Sequence, residues 1–166
     1  DTDELTGLSN RAGFNRAFAA HLSGAKTSNG PLALLLIDLD GFKAVNDRCG
    51  HLMGDQVLQT IAAALHAPYL AACFSARLGG DEFAILAPGM DEPGVSGLIE
   101  TLLVDLRHTV DVGDGTLLHV SGTIGISWFE AGLSERELLR RADVGLYNGK
   151  RNHRGTATVY SDAIDR

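Results

Sequence analysis

Four carboxylates dominate the chemistry open to this chain. Asp38 and Asp40 end its most hydrophobic run, residues 32–37, while Asp81 and Glu82 follow two glycines in Gly79-Gly80-Asp81-Glu82-Phe83. Carboxylates that meet in space suit hard divalent cations, since magnesium takes oxygen ligands, usually one or two carboxylates completed by phosphate oxygens and water. A pair of such ions can activate an attacking hydroxyl and stabilise charge on a phosphoryl group during in-line displacement. Asp38 and Asp81 are the candidate metal ligands, and the backbone carbonyl of Leu39 is placed to complete them. Asp40 is expected to alternate away from Asp38 along the strand and to serve structure. Taken singly, each acid is ordinary: Asp38 a strand-end residue making turn hydrogen bonds, Asp81 and Glu82 the polar tip of a hairpin. The chemistry depends on the chain bringing them together.

A second group lies in the polar, turn-rich block that follows Asp40. Asn46 and Asp55 could read a guanine, because a carboxylate accepts from its N1–H and exocyclic amine and an amide complements the remaining edge. Spacing alone equally allows Asn46 to form a turn and Asp55 to cap a helix. Lys43 and Lys150 suit terminal phosphates as point charges, although two lysines on an acidic surface would also serve as solvated side chains. His51 is expected to be a structural hydrogen-bonder in a turn rather than a catalytic base.

The elements that must position these groups are legible in outline. At 166 residues with ordinary hydrophobic and charged fractions, the chain reads as one globular domain, 1–166, able to bury a substantial core. Its formal charge of −7 argues against a broad nucleic-acid or anionic-membrane surface. No run is long enough to cross a bilayer. The abrupt opening on Asp1 suggests a piece excised from a longer protein. Cys49 and Cys73 lack metal-ligand spacing and read as thiols in a reducing compartment.

Ser9 or Asn10 can cap a first helix carrying Phe14, Ala17, Phe18 and Leu22, with Gly24 stopping it and 24–31 as a polar connector. Residues 32–37 read as a fully buried strand. A second helix carries Val57, Leu58, Ile61, Ala62 and Leu65 and closes at Pro68. The apolar runs either side of Gly79-Gly80 form a hairpin, with the glycine pair supplying the φ > 0 of its turn. A third helix carries Val95, Leu98, Ile99, Leu102, Leu103 and Leu106. Residues 119–128 alternate as a strand with one buried face. Ser134 and Glu137 make a capping box for a last helix, and 156–160 form a final short strand.

The middle of this order is a βαββαβ unit, the split arrangement of ferredoxin-like folds, giving an α+β fold with a central, mainly antiparallel sheet flanked by helices. Its first and second strands run the same way and the third returns between them. The end of the first strand and the turn joining the next two therefore lie at one edge, so Asp38 and Asp81 are predicted to converge.

On these residues the chain resembles the GGDEF domain, the bacterial diguanylate cyclase module. The likeness runs through Asp3-Glu4-Leu5-Thr6-Gly7-Leu8-Ser9-Asn10-Arg11, Asp38-Leu39-Asp40-Gly41-Phe42-Lys43, Asn46-Asp47, Gly50-His51, Gly54-Asp55 and Arg77-Leu78-Gly79-Gly80-Asp81-Glu82-Phe83, the strand 121–126, and Ala142-Asp143, Leu146-Tyr147 and Lys150. It implies a sheet like that of nucleotidyl cyclases and polymerase palms. It also implies two magnesium or manganese ions per active site on Asp38, the Leu39 carbonyl and Asp81, with Asp81 and Glu82 as the catalytic acids and Glu82 helping to activate a 3′-hydroxyl. Guanine would be held by Asn46 and Asp55 and the phosphates by Lys43, Lys150 and Arg154. The implied reaction joins two GTP into cyclic di-GMP across a homodimer, in a cytoplasmic domain tied to an upstream sensor, with no nucleic-acid partner and no membrane insertion of this segment.

Departures from the family pattern bear on this expectation. Leu70-Ala71-Ala72-Cys73 stands where many members carry an R-x-x-D product-binding site, so no inhibitory site is expected there. Gly145 and Gly149 interrupt the last helix where alanine-like residues are usual, at about 1 kcal/mol each. This is expected to make the helix less rigid and Lys150 the least secure assignment. A catalytically weak or inactive GTP-binding regulatory domain is the alternative reading, and a ferredoxin-like scaffold for protein contacts a third.

Overall fold

Leucine and isoleucine fill β1 (Leu32–Asp40) almost without interruption because both faces of that strand are covered. In the computed structural model, which describes residues 1–165, β1 pairs antiparallel with β3 (Glu82–Pro88) on one side and with β5 (Leu117–Trp128) on the other. The sheet runs β2-β3-β1-β5-β4, with β2 at Phe74–Gly79 and β4 at His108–Asp111, and β6 (Ala157–Val159) pairs parallel with β5. Successive side chains of β1 point to opposite faces. Leu32, Leu34 and Leu36 pack against Phe14, Phe18 and Leu22 of α1 (Arg11–Ser28) and Leu138, Ala142 and Leu146 of α5 (Glu135–Asn152). Ala33, Leu35, Ile37 and Leu39 pack against α2 (Phe42–Cys49), α3 (His51–Leu65) and α4 (Glu92–Asp105). Full burial of such side chains contributes roughly 1.5–3 kcal/mol each. With α3 and α4 as crossovers, the ferredoxin-like βαββαβ core is present.

Several local expectations give way to tertiary context. α1 runs through Gly24 to Ser28 because Ala25, 7% exposed, continues the buried stripe of Phe14, Phe18 and Leu22. Asn29, in the left-handed conformation, ends the helix instead, and Asn10 rather than Ser9 caps its start by accepting from the Gly13 amide. The block after Asp40 contains a whole helix, α2, held by only two buried residues, Phe42 and Val45. α3 then begins at His51, where Gly50 takes a positive φ of 84°. The strand β4 has no counterpart in the sequence reading. β5 is buried on both faces from Gly122 to Ser127, because α5 covers its second face.

The hairpin turn consists of Gly80 and Asp81, one residue beyond the expected glycine pair. Arg77 stands opposite Phe83 and Gly79 opposite Glu82, so Leu78 forms a bulge that moves the turn along by one. Gly80 supplies the positive φ of 50°, Asp81 lies in the turn as expected, and Glu82 leaves the turn to begin β3.

Candidate active site

The register of β1 and β3 sets Asp38 directly opposite Glu82. Residues paired in this way share a face of the sheet, and here it is the face toward α5. Asp81 is drawn to the same place by its backbone: the Leu39 amide donates to the Asp81 carbonyl at 3.3 Å, and Arg77 Nε donates to the Gly80 carbonyl at 2.9 Å. Burial, followed by the neighbouring Asp38 charge, pushes the Asp81 carboxyl up to about 6, and Lys150 pulls against that rise. Asp38 and Asp81 thus lie at one edge of the sheet, as the topology predicted, with the Asp38 charge acting on the Asp81 carboxyl.

Lys150 of α5 reaches across and donates to Asp38 Oδ2, while Asp38 Oδ1 is buried and has no hydrogen-bond partner among the described residues. An orphaned carboxylate oxygen costs free energy. With a second anionic group beside it, it supplies the oxygen-only donors that a hard cation takes. Among the described residues no three His, Cys, Asp or Glu side chains are gathered for a metal ion, so further donors must come from backbone or ligand. Asp38, Glu82 and Lys150 line one end of a cleft of about 750 Å³ that runs along α5 past Asp143 and Tyr147 to Asp165.

Asp40 follows Asp38 by two residues and points to the same face, not away from it, since strand side chains repeat every second residue. Its structural role stands. It is 8% exposed and accepts from Thr123 Oγ1 at 2.5 Å, Ser121 Oγ at 3.2 Å and Arg154 at 3.2 Å. Arg154 is thus tethered beside β1, within two residues of Asp38. The other expected site residues lie apart from the cleft lining. Asn46 sits in α2 with its amide against Gly54, where any Cβ would clash with Asn46 Oδ1. This places it at the first turns of α3 beside exposed Asp55. Lys43, at the start of α2, holds an exposed i,i+4 ion pair with Asp47 at 3.1 Å. Among the described residues neither Asn46 nor Asp55 makes a side-chain hydrogen bond to protein, and Gly50 rather than Asp55 occupies the cap position of α3.

Arg77 and Asp3 are positioning residues that sequence reasoning did not single out. Arg77 NH1 meets both Asp3 oxygens at 3.2 and 3.3 Å, with the two side chains only 16% and 21% exposed. Burial acts to raise the Asp3 carboxyl, but hydrogen bonds from Thr6 and the Arg77 charge outweigh it and leave the group lowered. The opening segment is thereby strapped to the Gly80-Asp81 turn. A local signal existed in the Asp3-x-x-Thr6 spacing, where the Thr6 amide and hydroxyl both donate to Asp3 Oδ2.

Gly145 and Gly149 have a role other than the loosening expected of them. α5 is continuous, and both glycines are buried against the sheet. A Cβ at Gly145 would lie 2.8 Å from the Thr158 carbonyl oxygen, and one at Gly125 of β5 would run into the backbone of Ala142 and Leu146. Missing side chains let α5 press onto β5 backbone to backbone, and that close approach carries Lys150 to Asp38.

The family model for the GGDEF domain of diguanylate cyclases matches residues 1–156. Diguanylate cyclase TpbB of Pseudomonas aeruginosa is 37% identical over 156 residues, which cover 93% of this chain and 36% of that protein. Its solved GGDEF domain superimposes with a TM-score of 0.89 at 34% identity, covering 100% of this chain and 98% of that one. The GGDEF domain of DgcB from Caulobacter crescentus, solved in complex with c-di-GMP, gives a TM-score of 0.86 at 29% identity, over 95% and 92% of the two chains. The cyclic di-GMP phosphodiesterase NbdA of Pseudomonas aeruginosa is 32% identical over 160 residues, 96% of this chain but 20% of that protein. The chain thus spans well under half the length of these curated relatives. Its carboxylate-bearing turn, palm-like sheet and nearly full-length match agree: this chain is a GGDEF domain of the diguanylate cyclase family.

Proposed function

We propose that this domain condenses two GTP into cyclic di-GMP, and the observation that carries the reading is the meeting of Asp38, Asp81 and Lys150 around an unpartnered carboxylate oxygen. Asp38, Asp81 and the Leu39 carbonyl would hold magnesium or manganese, which supplies positive charge to phosphoryl oxygens and lowers the pKa of an attacking hydroxyl. Lys150, released from Asp38, together with Lys43 and Arg154, binds the phosphates. Asn46 and Asp55 orient the guanine, and Glu82 stands beside the reacting hydroxyl. Each 3′-oxygen forms a bond to the α-phosphorus of the other nucleotide while the bond to the β-phosphate oxygen breaks, releasing pyrophosphate twice. One protomer supplies one nucleotide, so two copies must face each other, and proximity contributes much of the rate. Incubation with GTP and a divalent cation, followed by mass identification of products, tests this. Cyclic di-GMP with rate rising as the square of enzyme concentration at low protein is the expected result.

A second reading is favoured by the similarity to NbdA, a relative named as a phosphodiesterase. In it the domain binds GTP and regulates a neighbouring activity without making product. GTP binding without cyclic dinucleotide, even at high protein with manganese, would select this reading.

A further inference from the structure

We propose that the cleft between the β4–β5 hairpin and the turn after α5 is a phosphoanion site in which Arg107, His108 and His119 act beside Arg154. The cleft holds about 370 Å³ and is lined by these four side chains together with Thr109, Val120, Ser121 and Gly155. In a chain of net charge −7, no carboxylate lines it. Arg107 is exposed and has no ion-pair partner among the described residues. Arg154 is tethered through one guanidinium nitrogen to Asp40, which also accepts from Ser121 and Thr123 and is therefore largely satisfied. Thr109 Oγ1 lies 3.3 Å from His119 Nδ1. With Nδ1 accepting from that hydroxyl, a neutral His119 carries its proton on Nε2, so the ring offers a donor in either charge state. Guanidinium forks and imidazole donors match the oxygens of a phosphate or pyrophosphate, and the acid bonded to this lining, Asp40, is already engaged by Ser121 and Thr123.

The placement ties the cleft to nucleotide chemistry, and in that respect the inference rests on the cyclase reading. The β1–α2 turn at Gly41 abuts the His119 carbonyl so closely that no Cβ fits between them. Lys43 follows that turn, and Arg154 spans the cleft and Asp40. An anion held here sits next to the phosphate-binding side of the active site, either as the outer phosphates of bound GTP or as released pyrophosphate.

Calorimetric titration of metal-free protein with inorganic pyrophosphate tests this directly. Arg107→Glu should weaken binding about tenfold or more, the loss expected for a charge-assisted contact, and His119→Ala should weaken it severalfold. Thr109→Val, which removes the hydroxyl behind His119, should weaken it less. Arg107 is exposed and unpaired, so thermal unfolding should confirm an intact fold. GTP titrated into the same proteins separates the two sources. A parallel loss of GTP affinity shows outer phosphates in the cleft, and GTP affinity within twofold of the parent assigns it to free pyrophosphate. Pyrophosphate affinity of Arg107→Glu within twofold of the parent overturns the proposal. The titration requires no turnover, so it remains readable if the domain makes no cyclic dinucleotide.

Discussion

Replacing Asp81 by Asn should stabilise the metal-free protein while abolishing its response to divalent cations. The folded environment raises the Asp81 pKa from 3.8 to about 6, chiefly through burial and then through the Asp38 charge. A shift of that size corresponds to about 3 kcal/mol at 1.36 kcal/mol per unit. The group is only partly buried, so solvent screening reduces this to about 1–2 kcal/mol. The sign follows from linkage: the folded state holds the Asp81 proton more tightly than the unfolded chain. Stability from this group is complete below pH 3.8, declines as pH rises toward about 6, and is absent above it. The Asn amide removes the repulsion and can donate to the orphaned Asp38 Oδ1. Thermal unfolding in chelator at pH 7.5 should show the variant melting roughly 3–6 °C above the parent, with the gap closing at pH 4. Manganese should raise the melting temperature of the parent and leave that of the variant unchanged. A variant no more stable than the parent at pH 7.5, or one equally stabilised at both pH values, would refute the argument that Asp38 and Asp81 strain each other.

Arg77→Ala should cost about 1.5–3 kcal/mol in chemical denaturation, because it leaves Asp3 without its partly buried partner and the Gly80 carbonyl without its donor. On the proposed cyclase reading, activity should fall further than stability predicts, since Gly80-Asp81 loses its support. Gly125→Ala should displace α5 by a backbone clash and reduce soluble yield sharply. Gly149→Ala should be far milder, because its new Cβ would meet Thr123 Cγ2 at 3.0 Å and Thr158 Oγ1 at 3.1 Å, side-chain atoms able to shift. Gly54→Ala should leave stability equal or higher through helix propensity, about 1 kcal/mol, and, on the proposed guanine-binding role of Asn46, raise the KM for GTP about tenfold by evicting its amide. Steady-state kinetics beside melting curves distinguishes that outcome from simple misfolding.

The amino-acid order alone determined the sheet core, the approach of Asp38 to Asp81, and the family, because strand runs, turn glycines and capping side chains act over a few residues. The βαββαβ topology converts those local signals into a shared sheet edge without any need for coordinates. Contacts between distant segments decided the rest. α2 was hidden because only Phe42 and Val45 mark it as helical, and its stability comes from packing these two against α3 and the sheet. Gly24 did not end α1, since burial of Ala25 outweighs the cost of one glycine. The roles of Gly125, Gly145 and Gly149 depend on how closely a helix approaches a strand, a distance no local pattern encodes. The Arg77–Asp3 strap joins residues 74 positions apart, and the Asp38–Lys150 pair residues 112 apart. Such pairings exist only once the folded backbone has met the entropy of bringing them together.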